Sequence, residues 1–238
     1  MNEELTADRF VELLATRASP DERAQVQRYF KTGPGDYGEA DVFVGVRMRD
    51  VFALATQFVD LAVGEIERLL ESPVHEVRAG ALSIMDKAAR RKRTPADRRR
   101  ALFDLYLRRS DRINNWDLVD LAAPYVVGGY LYDRPRDVLY RLARSANVWE
   151  RRTAMLATLY FARQGDLDDV YGIATVLLHD AHDLIQKAVG GMLREAGKQD
   201  RARLLAFLDQ HAATMPRTML RYAIEHLDED QRRHYRSL

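Results

Sequence analysis

The chain has 238 residues, no cysteine, 47% hydrophobic residues and a formal net charge of +1 from 37 basic and 36 acidic side chains. That length buries a sizeable core and that composition argues against wholesale disorder. Without cysteine there are no disulfides, no thiolate catalysis and no thiolate-held zinc or iron–sulfur centre, which fits a reducing, cytoplasmic compartment.

In chain order, the start Met1-Asn2-Glu3-Glu4 is acidic and lacks the apolar stretch of a signal peptide. No apolar run approaches the roughly 20 residues of a membrane span, so no membrane partner is expected. Val42-Phe43-Val44 is the longest strand-like piece, and it reads equally well as extended loop. Elsewhere apolar residues recur at three and four, as in Val77, Ala81, Ile84, Met85 and Ala88, or Met155, Leu156, Leu159 and Tyr160. Breakers punctuate these stretches at Gly33-Pro34-Gly35, Ser72-Pro73, Thr94-Pro95, Gly128-Gly129, Arg134-Pro135, Gly165 and Met215-Pro216. The pattern predicts an all-α chain of helices about 10–17 residues long, joined by short turns.

The segment Asn114-Asn115-Trp116-Asp117-Leu118-Val119-Asp120 carries the most chemistry. Trp116 and Asp120 are four apart, so an indole and a carboxylate project from one helical face. An apolar ring beside an anion suits a site that grips a cationic, partly apolar group. Asn114 or Asn115 is placed to cap the helix, and Asp117 in the first turn faces the positive end of its dipole. The alternative stays open: Trp116 as plain core, Asp120 bonded to a neighbouring turn.

Charge is uneven along the chain. Residues 1–71 hold 8 basic and 14 acidic side chains, residues 72–163 hold 19 and 10, and residues 164–238 hold 10 and 12. The central excess suits a polyanion such as nucleic acid. Its densest run, Arg90-Arg91-Lys92-Arg93 to Arg98-Arg99-Arg100, reads either as a phosphate-contacting edge or as a solvated loop. A weak internal repeat matches Arg78, Arg152 and Lys187 at spacings of 74 and 35, with Asn115 midway in the longer interval. Two helices per unit of just under 40 residues are the signature of a HEAT-like or armadillo-like helical-repeat solenoid. The expectation is one domain over residues 1–238, with Arg78, the Asn115/Trp116 turn, Arg152 and Lys187 lining a basic concave groove. Inter-repeat salt bridges are the alternative for that stripe.

Longer motifs carry a resemblance. Arg28-Tyr29-Phe30-Lys31-Thr32-Gly33-Pro34-Gly35-Asp36-Tyr37-Gly38-Glu39 is followed by Phe43-Val44-Gly45-Val46-Arg47, then by Asn115 to Asp120 and Asn147-Val148-Trp149-Glu150-Arg151-Arg152. Gln186-Lys187-Ala188-Val189-Gly190 through Leu193-Arg194-Glu195, and Pro216 to Ala223, complete the series. In this order the motifs resemble those of the AlkD-type DNA alkylation repair proteins, the HEAT-like-repeat DNA glycosylases. The resemblance implies excision of cationic alkylated purines, 7-alkylguanine and 3-alkyladenine, from double-stranded DNA without flipping the base into a pocket. By motif position it implies Asp120 as the catalytic carboxylate and Trp116 as part of an aromatic cradle. It implies Arg152 and Tyr29 at the DNA, with Lys187 and Arg78 on the same basic stripe. Gly191 stands where the family usually has a second tryptophan, a departure that implies weaker action on small methylated bases or room for larger adducts.

No cofactor or metal is implied. Of the six histidines, His179 and His182 have ligand-like spacing but no third partner in view, and the Gly-rich pairs lack the setting of a phosphate loop. Nothing suggests an oligomer interface or an obligate protein partner. The alternatives are a non-catalytic relative that recognises damaged or branched DNA and, further off, a protein-binding scaffold.

Overall fold

The structure is a computed structural model that describes residues 5–27, 30, 32–33, 38–39 and 41–238. Among its described residues the regular structure is helical apart from one isolated parallel bridge between Val42 and Val74, and no helix is long and apolar enough to cross a membrane. The Val42 piece is thus extended loop: Val42 N–H donates to Pro73 O at 3.2 Å and His75 N–H to Val42 O at 2.8 Å.

Compactness divides the chain into two units, residues 1–126 and 127–238. The first holds α1 (Ala7–Ala15), α2 (Pro20–Gln27), α3 (Met48–Gln57), α4 (Val63–Leu70), α5 (His75–Arg90), α6 (Ala96–Arg108) and α7 (Trp116–Ala122). Here α5 packs on α3, α4 and α7, and α4 lies beside α6. Phe10, Phe43, Leu54, Ile66 and Leu82 fill the space between them, fully buried. A π-turn, Ala123–Gly128, prolongs α7 and leads into the short α8 (Gly129–Leu131). The second unit continues with α9 (Asp137–Leu142), α10 (Val148–Arg163), α11 (Asp168–Val176), α12 (Asp183–Gln199), α13 (Arg201–His211), α14 (Arg217–Ala223) and α15 (Glu229–Ser237). In it α12 packs between α10 and α14, while α9 lies beside α11. Helix pairs therefore stack within each unit, the all-α helical-repeat arrangement that the apolar spacing predicts.

The helices that carry the repeat begin at residues 75, 116, 148 and 183, so successive spacings are 41, 32 and 35. Their register is fixed by a recurring bond. The fourth helical residue sends its side chain back to the carbonyl six residues earlier: Arg78 to Ser72 O at 3.0 Å, Arg151 to Ser145 O at 3.0 Å, and Gln186 to Asp180 O at 3.0 Å. The structural equivalents are thus Arg78, Arg151 and Gln186, one residue off the sequence alignment on Arg152 and Lys187. Matching by charge picked the wrong member of the Arg151-Arg152 pair. Counted from the helix starts, the fifth position holds Ala79, Asp120, Arg152 and Lys187.

The basic run between α5 and α6 is largely structural. Arg99 donates to Thr94 O, Ala89 O and Arg91 O, closing the end of α5, and Arg98 donates to Val59 O and Leu61 O at the α3–α4 turn. Arg91 pairs with Asp60, while Arg90 pairs with Asp86 and covers the Tyr125 ring at 3.5 Å. Arg90, Lys92, Arg93 and Arg100 are the exposed basic residues of the run.

Two glycine breakers part ways. Gly165, at φ +80°, ends α10 by donating to Ala162 O at 3.0 Å while Asp166 N–H donates to Phe161 O at 3.0 Å, a paired C-terminal cap. Gly128 does not break anything. It lies inside the π-turn because a Cβ there would sit 2.1 Å from Ala157 O. Gly128→Ala should therefore cost about 1–3 kcal/mol in urea unfolding. Gly64→Ala is the control: its Cβ meets nothing within 4 Å, and it should gain up to about 1 kcal/mol of helix propensity.

Candidate functional site

The N-terminal turn of α5 interrupts an apolar stretch with three polar side chains, His75, Glu76 and Arg78, all of them buried. A buried polar group is tolerable only when bonded, and each partner found here fixes a piece of chain. The Glu76 carboxylate accepts from three successive amides of the extended segment, Val44 N–H at 3.1 Å, Gly45 N–H at 2.8 Å and Val46 N–H at 3.3 Å. Arg78 pairs with the buried Asp41 and donates to Ser72 O and Pro73 O. Asp41 also accepts from Asn115 Nδ2 at 2.9 Å and faces His75 Nδ1 at 3.3 Å. Burial raises the Asp41 pKa, but hydrogen bonds to His75 and Asn115 and the Arg78 charge outweigh it and hold the carboxyl below its usual value.

His75 reaches the other way to α7, with Nε2 2.7 Å from Asp117 Oδ2. Burial presses the imidazole towards neutral, but hydrogen bonds to Asp117 and Asp41, reinforced by their charges, push its pKa up to about 9. It is therefore an imidazolium at neutral pH, bridging two carboxylates. Aromatic rings close around it: Phe30 and Phe43 lie 4.8 and 4.9 Å from the imidazole, centroid to centroid.

Trp116 and Asp120 stand above this network on α7. Asn115 caps the helix by accepting from Trp116 N–H at 2.8 Å. The Trp116 ring stacks on Phe30 at 5.7 Å and 26°. Both Trp116 and Asp120 are half-buried, so neither is plain core.

The other sequence-predicted residues separate. Arg78 is tied to the Trp116 turn through Asp41 and Asn115, with its guanidinium inside the protein. In the second unit Arg152 is buried and donates to Leu184 O at 2.6 Å, and Lys187 pairs with Asp183 at 2.6 Å on an open helix face. A Cβ on Gly191 would meet nothing within 4 Å. Tyr29 lies outside the described residues. His182 caps α12, its Nδ1 accepting from Leu184 N–H at 3.2 Å, and among the described residues no cluster of metal-binding side chains occurs. Sequence reasoning missed His75, Glu76 and Asp41. The available signal was a His-Glu pair in the first turn of a helix that is otherwise apolar.

Residues 10–227 match the model of the family described as DNA alkylation repair enzyme. The chain belongs to that family. Its fold is similar to that of a solved structure of a predicted DNA alkylation repair enzyme from Enterococcus faecalis, at 17% identity and a TM-score of 0.68. That similarity covers 90% of this chain and 98% of the other. No curated protein matched. A DNA alkylation repair enzyme acts on DNA, so the His75 network and the half-buried Trp116 turn belong to a DNA-repair fold.

The His75 pKa sets a pH dependence for this DNA alkylation repair enzyme. The folded value of about 9 lies above the ordinary 6.5, so the imidazolium's stabilisation is fully present below pH 6.5 and is lost as pH rises through 9. Unfolding free energy should fall by about 3 kcal/mol between pH 6 and pH 10. In urea titrations His75→Asn should flatten that decline.

Proposed function

We propose that this DNA alkylation repair enzyme is a glycosylase for cationic alkylated purines, 7-alkylguanine and 3-alkyladenine, in duplex DNA, acting through residues 1–238 as one functional domain. The reading is carried by one observation: a half-buried tryptophan and carboxylate one turn apart on α7, in a member of an alkylation-repair family. Alkylation leaves the purine positively charged, so the base departs with the bonding electrons when its N-glycosidic bond to C1′ breaks. The sugar becomes oxocarbenium-like; water adds to C1′ and gives up a proton. Such a transition state gains from a fixed negative charge beside C1′ and from a path for water. Asp120 takes that role, and the Trp116 ring, backed by Phe30, holds the cationic base through its π face.

Arg152 and Lys187 hold the fifth position of their helices, as Asp120 does of α7. They are assigned to the DNA backbone with Tyr29. Arg78, held inside on Asp41, supports the turn from behind. The protein is read as a cytoplasmic monomer that needs no cofactor and no protein partner. The open space at Gly191 favours bulky adducts, and it is also what a non-catalytic DNA-binding relative would show.

The deciding experiment is single-turnover release of 7-methylguanine from duplex DNA. Asp120→Asn should slow release by about 10²-fold or more while duplex binding survives. Arg152→Ala should weaken binding and lower its salt slope by about one. Wild-type protein that binds duplex tightly and in a salt-sensitive way yet releases neither methylated nor bulky bases is a non-catalytic binder. Gly191→Trp should favour small adducts over large, and unchanged release of both would remove Gly191 from the account.

A further inference from the structure

The first turn of α7, which carries the Trp116–Asp120 pair, is anchored by side chains from outside its helix. Asn115 reaches Asp41, Asp117 reaches His75, and the Trp116 ring lies on Phe30. His75 touches all three anchors. It faces Asp41 through Nδ1 and Asp117 through Nε2, and its ring lies 4.8 Å from Phe30. The Asp117 hold is singular, because its second oxygen, Oδ1, is buried without a hydrogen-bond partner.

We infer that His75 is a positioning residue for Trp116 and Asp120, clamping the first turn of α7 to Asp41 and setting the aromatic ring on which Trp116 stacks. The inference rests on the glycosylase reading for its kinetic consequence but not for its geometry. Stability alone does not call for such a residue. A buried ion pair or triad is commonly replaceable by packed apolar side chains without loss, and His75 already sits against two phenyl rings. An imidazolium adds direction: two bonds from opposite ring edges fix the distance between the extended segment and α7. Among the described residues, the charges that act on it are those of Asp41 and Asp117. Asp41 comes from the extended segment and Asp117 from α7. Arg78 and Glu76, on its own helix, are turned to Asp41 and to the amides of Val44–Val46. Removing the proton from His75 leaves one N–H for two carboxylates, so it gives up its bond either to Asp41, which keeps Arg78 and Asn115, or to Asp117, and the turn loosens at that anchor.

The test uses the full chain in a Trp149→Phe background, where Trp116 is the remaining one of two tryptophans. Its emission is followed from pH 6 to 10, with single-turnover release of 7-methylguanine and binding of undamaged duplex measured alongside. Emission should change in one step centred near pH 9, and His75→Asn should abolish the step. In that variant release should slow about 10-fold or more, with duplex affinity held within about twofold. Asp117→Asn, which keeps the size of the side chain, should move the step to lower pH and reduce release less; it serves as the second probe should His75→Asn fail to fold. A step that persists in His75→Asn, or a release rate unchanged by both variants, would overturn the positioning role. If the parent protein releases no base, the glycosylase reading fails by itself, and the emission step still decides the geometry.

Discussion

A buried cation held between two carboxylates governs how the first unit is assembled. His75 joins Asp41, on an extended segment without regular structure of its own, to Asp117, on the first turn of α7. Arg78 and Asn115 close the circuit through Asp41, and Glu76 gathers the amides of Val44, Gly45 and Val46. Each of these groups is costly to desolvate singly. Together they satisfy one another, and the cooperative cost of breaking the set keeps the segment and the helix in one arrangement. An apolar core would fill the same volume but would allow the segment to slide.

The arginines differ in what they bond, and several are spent on the backbone. Arg78, Arg98, Arg99, Arg112 and Arg151 direct guanidinium donors at backbone carbonyls around helix ends and turns. Carbonyls at a helix C-terminus lack intrahelical partners, and a forked side chain from elsewhere in the fold satisfies several at once. Others, such as Arg93 and Arg100, stay at the surface. The positive excess of the middle of the chain is therefore a poor measure of its surface field. Much of that charge is used in holding repeats in register.

What was readable in the sequence was local. Helices followed from spacing, the Asn115 cap from residue type, and the Trp116–Asp120 face from a separation of four. The end of α10 followed from Gly165. What escaped were features decided by contacts distant in sequence. Gly128 reads as a breaker until Ala157 O is seen 2.1 Å from where its Cβ would be. Arg151 and Arg152 are indistinguishable by type, and only the bond to Ser145 O assigns the repeat position. His75 binds residues 34 and 42 positions away, a separation that no local pattern encodes.

The bond from the fourth helical residue to the carbonyl six positions earlier bears on how such an array tolerates change. It spans the turn entering the helix, so the entry angle is set within a short stretch beginning just before each repeat helix. Chain further upstream has no part in it. The starts of these helices are separated by 41, 32 and 35 residues, yet the same bond recurs in three of the four. Insertions and deletions are thereby confined to connections that do not steer the helix. Repeats can thus differ in length while the side chains on their first turns keep the same place on each helix.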